Sequence, residues 1–81
     1  MDTRVALLGI IAENKDASEQ INDILHNYQD YIVGRMGVPY RAKELFVISV
    51  IVDAPEDTIS AISGKLGMVD GVTARAVYSK T

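Results

Sequence analysis

Two stretches of strand length, Thr3-Arg-Val-Ala-Leu-Leu-Gly-Ile-Ile-Ala12 and Leu45-Phe-Val-Ile-Ser-Val-Ile-Val-Asp53, are apolar at both odd and even positions. Successive side chains of an extended chain point to opposite faces, so a run of this kind belongs inside a sheet with both faces covered. In the first run Val5, Leu7, Gly9 and Ile11 face one way, and Ala6, Leu8, Ile10 and Ala12 the other. In the second, Leu45, Val47 and Ile51 oppose Phe46, Ile48, Val50 and Val52, with Ser49 as the polar interruption. A chain of 81 residues has room for one core, and these two runs must lie at its centre.

The remaining elements arrange themselves around that pair. Glu13-Asn-Lys-Asp16 breaks the first run and offers Asn14 or Asp16 as a helix N-cap. From Ala17 to about Gln29 the apolar spacing becomes helical, with Ile21, Ile24, Leu25 and Tyr28 on one stripe. Tyr31 to Val38, with Gly34 and Gly37 and closing at Pro39, suits an edge strand. Arg41-Ala-Lys-Glu44 is then the polar turn into the second run.

Asp53-Ala-Pro-Glu-Asp57 reads as a helix start: an Asp or Ala cap, Pro55 in the first turn, and two carboxylates at the positive end of the dipole. Ile59, Ile62 and Leu66 give that helix its buried stripe, and Gly67 is expected just past its end. Met68-Val-Asp-Gly71 is a turn. Val72 to Ser79 alternates Val72, Ala74, Ala76 and Tyr78 with Thr73, Arg75, Val77 and Ser79, as an edge strand with one wetter face would.

The order β-α-β-β-α-β specifies an α+β, ferredoxin-like two-layer sandwich: one domain over residues 1–81 with an antiparallel four-stranded sheet. Strands one and three are expected as its central pair, parallel to each other, with two and four at the edges. Both helices of such a fold pack on one face. The central strands are apolar on the other face as well, and no further element covers it. Self-association through the open sheet faces or their edges, as a dimer or tetramer, is therefore expected.

Composition narrows the function classes. The net charge is −3 with an isoelectric point near 4.9. The eight basic residues are scattered, so no basic field is laid out for nucleic acid or anionic lipid. No apolar run approaches the ~20 residues of a membrane span. The Met1-Asp-Thr-Arg4 start lacks a signal-peptide n-region, which makes a cytoplasmic location the expectation.

There are no cysteines, which removes disulfides, thiolate metal sites and thiol nucleophiles together. His26, the one histidine, falls opposite the helical stripe and has no second histidine for a metal. Ser60 and Ser63 have no histidine base, and Glu56 and Asp57 are explained as helix-start charges. No catalytic residue, metal or cofactor is expected.

Gly34-Arg-Met-Gly37 lacks the spacing of a phosphate loop. It reads better as a place where a backbone, ligand or subunit comes close, with the planar fork of Arg35 available to an anion. A twisted edge strand with a solvated arginine would carry the same residues. Tyr40 and Arg41 extend the patch, so Gly34, Arg35, Met36, Gly37, Tyr40 and Arg41 are the candidate ligand or interface residues.

Tyr31-Ile-Val-Gly-Arg-Met-Gly-Val-Pro-Tyr-Arg41, Val52-Asp-Ala-Pro-Glu-Asp57, Ser63-Gly-Lys-Leu-Gly67, and the Gly71-Val and Val77-Tyr-Ser-Lys80 segments together resemble the iron-only hydrogenase system regulators. The resemblance runs over essentially the whole chain. It implies an ACT-like ferredoxin fold similar to the C-terminal effector domain of the nickel-responsive NikR regulators. The histidines and cysteine that hold nickel in those domains have no counterpart here. Neither does the ribbon-helix-helix segment preceding them, nor the glycine that amino-acid-binding ACT domains place after the first strand.

The resemblance implies a non-enzymatic regulatory module. It would act through a small-molecule effector or a hydrogenase-system protein, without direct contact to nucleic acid. Two alternatives are a small ferredoxin-like enzyme holding an anionic substrate with Arg35 or Arg41, and an assembly factor in hydrogenase maturation.

Overall fold

The two doubly apolar runs are the inner strands of the sheet. In the computed structural model, which describes residues 2–80, they form β1 (Arg4–Ala12) and β3 (Leu45–Ala54). They are flanked by β2 (Ile32–Tyr40) and β4 (Val72–Tyr78) in the order β2-β3-β1-β4. Helix α1 (Ala17–Asn27) connects β1 to β2, and α2 (Glu56–Gly67) connects β3 to β4.

The expected parallel pairing of strands one and three is corrected. They pair antiparallel, from Arg4↔Ala54 to Ala12↔Phe46. Each helical crossover returns the chain parallel to the strand it left, but one position further across the sheet. The strand received into the gap comes from the other crossover and runs the opposite way, so every neighbouring pair is antiparallel.

The core lies between the sheet and the two helices. Ala6, Leu8, Ile10 and Ala12 of β1, with Ile48, Val50, Val52 and Ala54 of β3, meet Ala17, Ile21 and Leu25 of α1 and Ile59, Ile62 and Leu66 of α2. Ile24 and Tyr28 complete the α1 stripe at its half-buried margin, and the Lys65 ammonium lies 5.1 Å from the Tyr28 ring centroid. His26 is exposed. Among the described residues no polar or charged side chain is buried.

The boundaries around Pro55, Gly67 and β2 differ from the sequence expectation. The residue before a proline favours extended backbone, so Asp53 and Ala54 stay in β3 and Pro55 itself takes the cap position, with φ −58° and ψ 147°. Gly67 is the last residue of α2, not the residue beyond it, and Met68 caps the helix. The helical turn continues because Val69 is drawn into the core, its N–H bonding the Leu66 carbonyl at 3.2 Å. Strand β2 runs through Pro39 to Tyr40, while Tyr31 belongs to a short 3-10 turn, Gln29–Tyr31. An edge strand leaves part of its backbone without a ladder partner, which is where a proline fits. At α1, Asp16 occupies the cap position without a side-chain bond, and Asn14 Oδ1 instead accepts the Asp16 N–H at 3.0 Å.

Candidate functional site

The β2–β3 hairpin carries the residues singled out in sequence, and its two faces lead to two different places. Toward the helices, the hairpin tip projects past the end of β1, whose last cross-strand pair is Ala12↔Phe46. The space beside it is a cleft of about 860 Å³, walled on the far side by the β1–α1 turn. Its floor is apolar: Ala12, Gly37, Pro39, Leu45 and Phe46. Its rim is polar: Glu13, Asn14, Lys15, Ser18, Arg41 and Glu44.

Each wall has a local cause. Gly37 lets the Phe46 ring lie against the strand: a Cβ there would stand 3.2 Å from both Cε1 and Cζ of the ring. At the tip, Arg41–Lys43 forms a short 3-10 turn that ends on Glu44 at φ 54°, with the Glu44 N–H bonding the Arg41 carbonyl at 3.2 Å. A left-handed conformation at a non-glycine residue costs roughly 1 kcal/mol. It turns the chain sharply enough that Arg41 and Glu44 both face the cleft. Opposite, the β1–α1 turn is tied to the far end of the sheet by the Glu13 N–H, which donates to the Gly71 carbonyl at 2.7 Å. Ser18 Oγ donates to the Lys15 carbonyl at 3.2 Å, closing the first turn of the helix.

The rim therefore holds two cations and two carboxylates, yet none of them is paired. The ion pair among the described residues is Arg4–Glu56, at 2.8 Å and far along the chain from this rim. The ammonium of Lys15 and the guanidinium of Arg41 make no hydrogen bond or ion pair with any described residue. The cleft thus combines an apolar floor carrying an aromatic ring with a rim of two cations and two carboxylates that are not engaged with one another.

The six residues singled out in sequence do not form one patch. Gly37 and Arg41 line the cleft. Gly34, Arg35 and Met36 border a hollow of about 250 Å³ with Leu7, Ser49 and Ile51. The Arg35 side chain turns to the helix layer, where Nη2 donates to Asn22 Oδ1 at 2.7 Å. Tyr40 is exposed at the end of β2, opposite Leu45. Lys15, Ser18, Glu44 and Phe46 joined the cleft unannounced: they lie in separate segments, and only the crossover topology brings the β1–α1 turn beside the hairpin tip.

The second face of the hairpin belongs to the open side of the sheet. Val5, Leu7 and Ile11 of β1, Val47 and Ile51 of β3, Met36 and Val38 of β2, and Val77 of β4 are all exposed there. Arg75 is the one charged residue within that array; Asp53 stands at its end beside Val5. Among the described residues no cluster of His, Cys, Asp or Glu could hold a metal ion, and no helix is long and apolar enough to cross a membrane.

Comparison with known proteins places this geometry. The sequence profile of the TM1266-like family, described provisionally as an iron-only hydrogenase system regulator, matches residues 4–76. The structure of the uncharacterized protein TM1266 from Thermotoga maritima superposes with a TM-score of 0.93 at 35% identity, covering 98% of this chain and 100% of that one. A formyltetrahydrofolate deformylase from Pseudomonas putida KT2440 matches with a TM-score of 0.66 at 13% identity, over 90% of this chain and 28% of the deformylase. That second likeness is one of fold alone. No functionally curated protein matches the chain.

Proposed function

The chain belongs to the TM1266-like family, and from that membership we propose that it is a non-enzymatic regulatory module of the iron-only hydrogenase system, switched by a small molecule held in the cleft between the β1–α1 turn and the β2–β3 hairpin. The observation that carries the reading is the cleft itself. Lys15 and Arg41 stand without partners over the apolar floor of Gly37, Pro39 and Phe46. An acid group would meet the two cations while its apolar body lies on the ring. Among the described residues, the cleft is lined by no histidine or cysteine, which supports a binding role over a catalytic one.

The module self-associates through its open sheet face. With a net charge of −3 and dispersed basic residues, any control of transcription runs through a separate DNA-binding protein.

The test is a ligand titration followed by amide NMR and thermal melting, with phenyl phosphate, benzoate and inorganic phosphate as probes. Phenyl phosphate is expected to shift the amides of Glu13–Ser18 and of Gly37–Phe46. A ligand at a hundredfold excess over its dissociation constant stabilises the folded state by ~2.7 kcal/mol. Lys15→Gln combined with Arg41→Gln should abolish the response while the unliganded melting temperature stays within a few degrees. Absence of amide shifts at millimolar phenyl phosphate and benzoate, or shifts unchanged in the double variant, would refute the cleft as the site.

A further inference from the structure

The open face of the sheet contains two glycines with open space above them within their own chain. Gly71 needs its positive φ, and Gly37 admits the Phe46 ring. Gly34 has neither reason: it follows the bulge after Ile32, yet its φ is not positive, and a Cβ built on it would find nothing within 4 Å. Gly9, in the middle of β1, is nearly as free, its nearest neighbour being the Arg75 carbonyl oxygen at 4.0 Å. Glycine inside a strand forgoes side-chain packing and loosens the chain, and it commonly marks the close approach of something else. Both glycines look out on the face that Leu7, Ile11, Val47 and Ile51 leave apolar and exposed.

The strand registers arrange this face in rows running across the sheet. One row reads Gly34, Ile51, Leu7, Val77 from edge to edge. The next reads Met36, Ser49, Gly9, Arg75, and the third Val38, Val47, Ile11, Thr73. The first row has a hollow of about 250 Å³ around Gly34 at one end and, at the other, Val77 standing 67% exposed.

We propose that a second copy of this chain covers the open face, related by a two-fold axis running along the strands, so that the partner's Val77 enters the hollow over Gly34. This rests on the self-association stated above and names its partner and register. Rotation about such an axis reverses each row over itself. Val77 then lies over Gly34 and Leu7 over Ile51, while Gly9 meets Ser49 in the second row. The apolar Leu7 and Ile51 pack on each other at the centre of the row, and both hollows are filled by one contact made twice, as an isologous interface requires. Arg75 comes over Met36, where its stem can lie on the thioether and its head reach the rim. The alternative axis, across the strands, leaves each residue at its own sheet edge: run along the first row it stacks Gly34 on Gly34 and leaves the hollows empty, and run along the second it brings the two Arg75 together.

The area suffices for a stable pair. Four strands ~4.8 Å apart and about nine residues long at ~3.3 Å per residue project on the order of 600 Å². Surface relief raises the accessible area toward the ~800 Å² per partner of a standard interface. Two such sheets would pack ~10 Å apart with their strands crossed by about 30°.

The test is sedimentation velocity at micromolar concentration, with circular dichroism to confirm folding. The wild-type chain should sediment as a dimer or a multiple of it. Gly34→Val meets open space within its own chain and suits a strand, so it should fold; by filling the hollow it should weaken self-association roughly thirtyfold or more. Adding Val77→Gly to Gly34→Val moves the hollow to the other end of the row and should restore the dimer. Val77→Lys, at a position already 67% exposed, gives an independent dissociating variant.

A monomeric wild type, a Gly34→Val protein as dimeric as wild type, or a double variant that stays monomeric would each overturn the proposal. Phenyl phosphate binding by monomeric Gly34→Val separates the two readings. If it persists, the cleft stands on its own, whatever becomes of the interface.

Discussion

Gly71→Ala tests whether the turn that closes α2 also sets the geometry of the cleft. Gly71 sits at φ 76°, and a Cβ there would lie 3.0 Å from the Asn14 Cβ and 3.4 Å from the Asn14 nitrogen. The left-handed backbone alone costs an alanine roughly 1–2 kcal/mol. The contact adds about 1–2 kcal/mol more, because Asn14 belongs to a backbone turn and cannot swing aside. Lower entropy of the unfolded chain returns about 0.4–1 kcal/mol. The net destabilisation spans roughly 1–3.6 kcal/mol, with ~2–3 kcal/mol as its central part.

For a chain of this size total stability is on the order of 4–12 kcal/mol. With an unfolding entropy near 2.1 cal/mol/K per residue, that central loss corresponds to a melting temperature lower by roughly 12–18 °C. Urea denaturation measures it directly, with the slope unchanged and the midpoint moved. Because the Gly71 carbonyl accepts the Glu13 N–H at 2.7 Å, the amides of Glu13 to Asp16 should shift in the same variant. Gly67→Ala is the control. Gly67 lies in α2 with open space around it and no positive φ, so alanine should stabilise by up to ~1 kcal/mol. A Gly71→Ala protein within about 0.5 kcal/mol of wild type, or one that moves in the same direction as Gly67→Ala, refutes the reasoning.

Two further substitutions probe how the layers are held. Leu66→Ala removes a side chain with 0% exposure from beneath the sheet and should cost about 2–5 kcal/mol by chemical denaturation, enough to unfold much of the population at the lower limit of stability. Arg4 donates to Glu56 at 2.8 Å, lies 4.9 Å from the Tyr78 ring centroid and also donates to the Ser79 carbonyl. Glu56 is largely exposed, so Glu56→Gln should cost less than ~1 kcal/mol, whereas Arg4→Ala, which loses all three contacts, should cost more. Equal effects of the two on urea midpoints would show that the ring and carbonyl contacts contribute nothing.

The architecture was legible because binary pattern and burial agree at nearly every position. The split of β1 into Val5, Leu7, Gly9, Ile11 and Ala6, Leu8, Ile10, Ala12 is the split between open face and core. The direction of the central pair was not legible from apolarity, since a doubly covered strand reads the same whichever way its neighbour runs. Direction follows from counting crossovers. At the ends of elements the misses share one cause: Pro55, Gly67 and Pro39 were given their commonest positional meaning. Tertiary demands then moved each by a residue or more, Val69 being pulled into the core and β2 lying at an edge that tolerates a missing donor.

The candidate site was legible only along one segment. Gly34, Arg35, Met36, Gly37, Tyr40 and Arg41 are close in sequence, but alternation of a strand sends adjacent residues to opposite faces. Thus Gly37 opens toward the helix layer and the cleft, Met36 toward the bare face, and Arg35 back to Asn22. Period-2 alternation separates Gly34 and Met36 from Arg35 and Gly37; the bulge between Ile32 and Gly34 hides only which of the two sets faces the helices. No local signal marks Lys15 or Phe46 as neighbours of Arg41. The glycines show the same limit most sharply. Gly34, Gly37 and Gly71 are one residue type in the sequence. In the fold Gly71 needs its backbone angle, Gly37 makes room for a ring, and Gly34 meets nothing within 4 Å of an added Cβ, the observation on which the proposed two-fold contact rests.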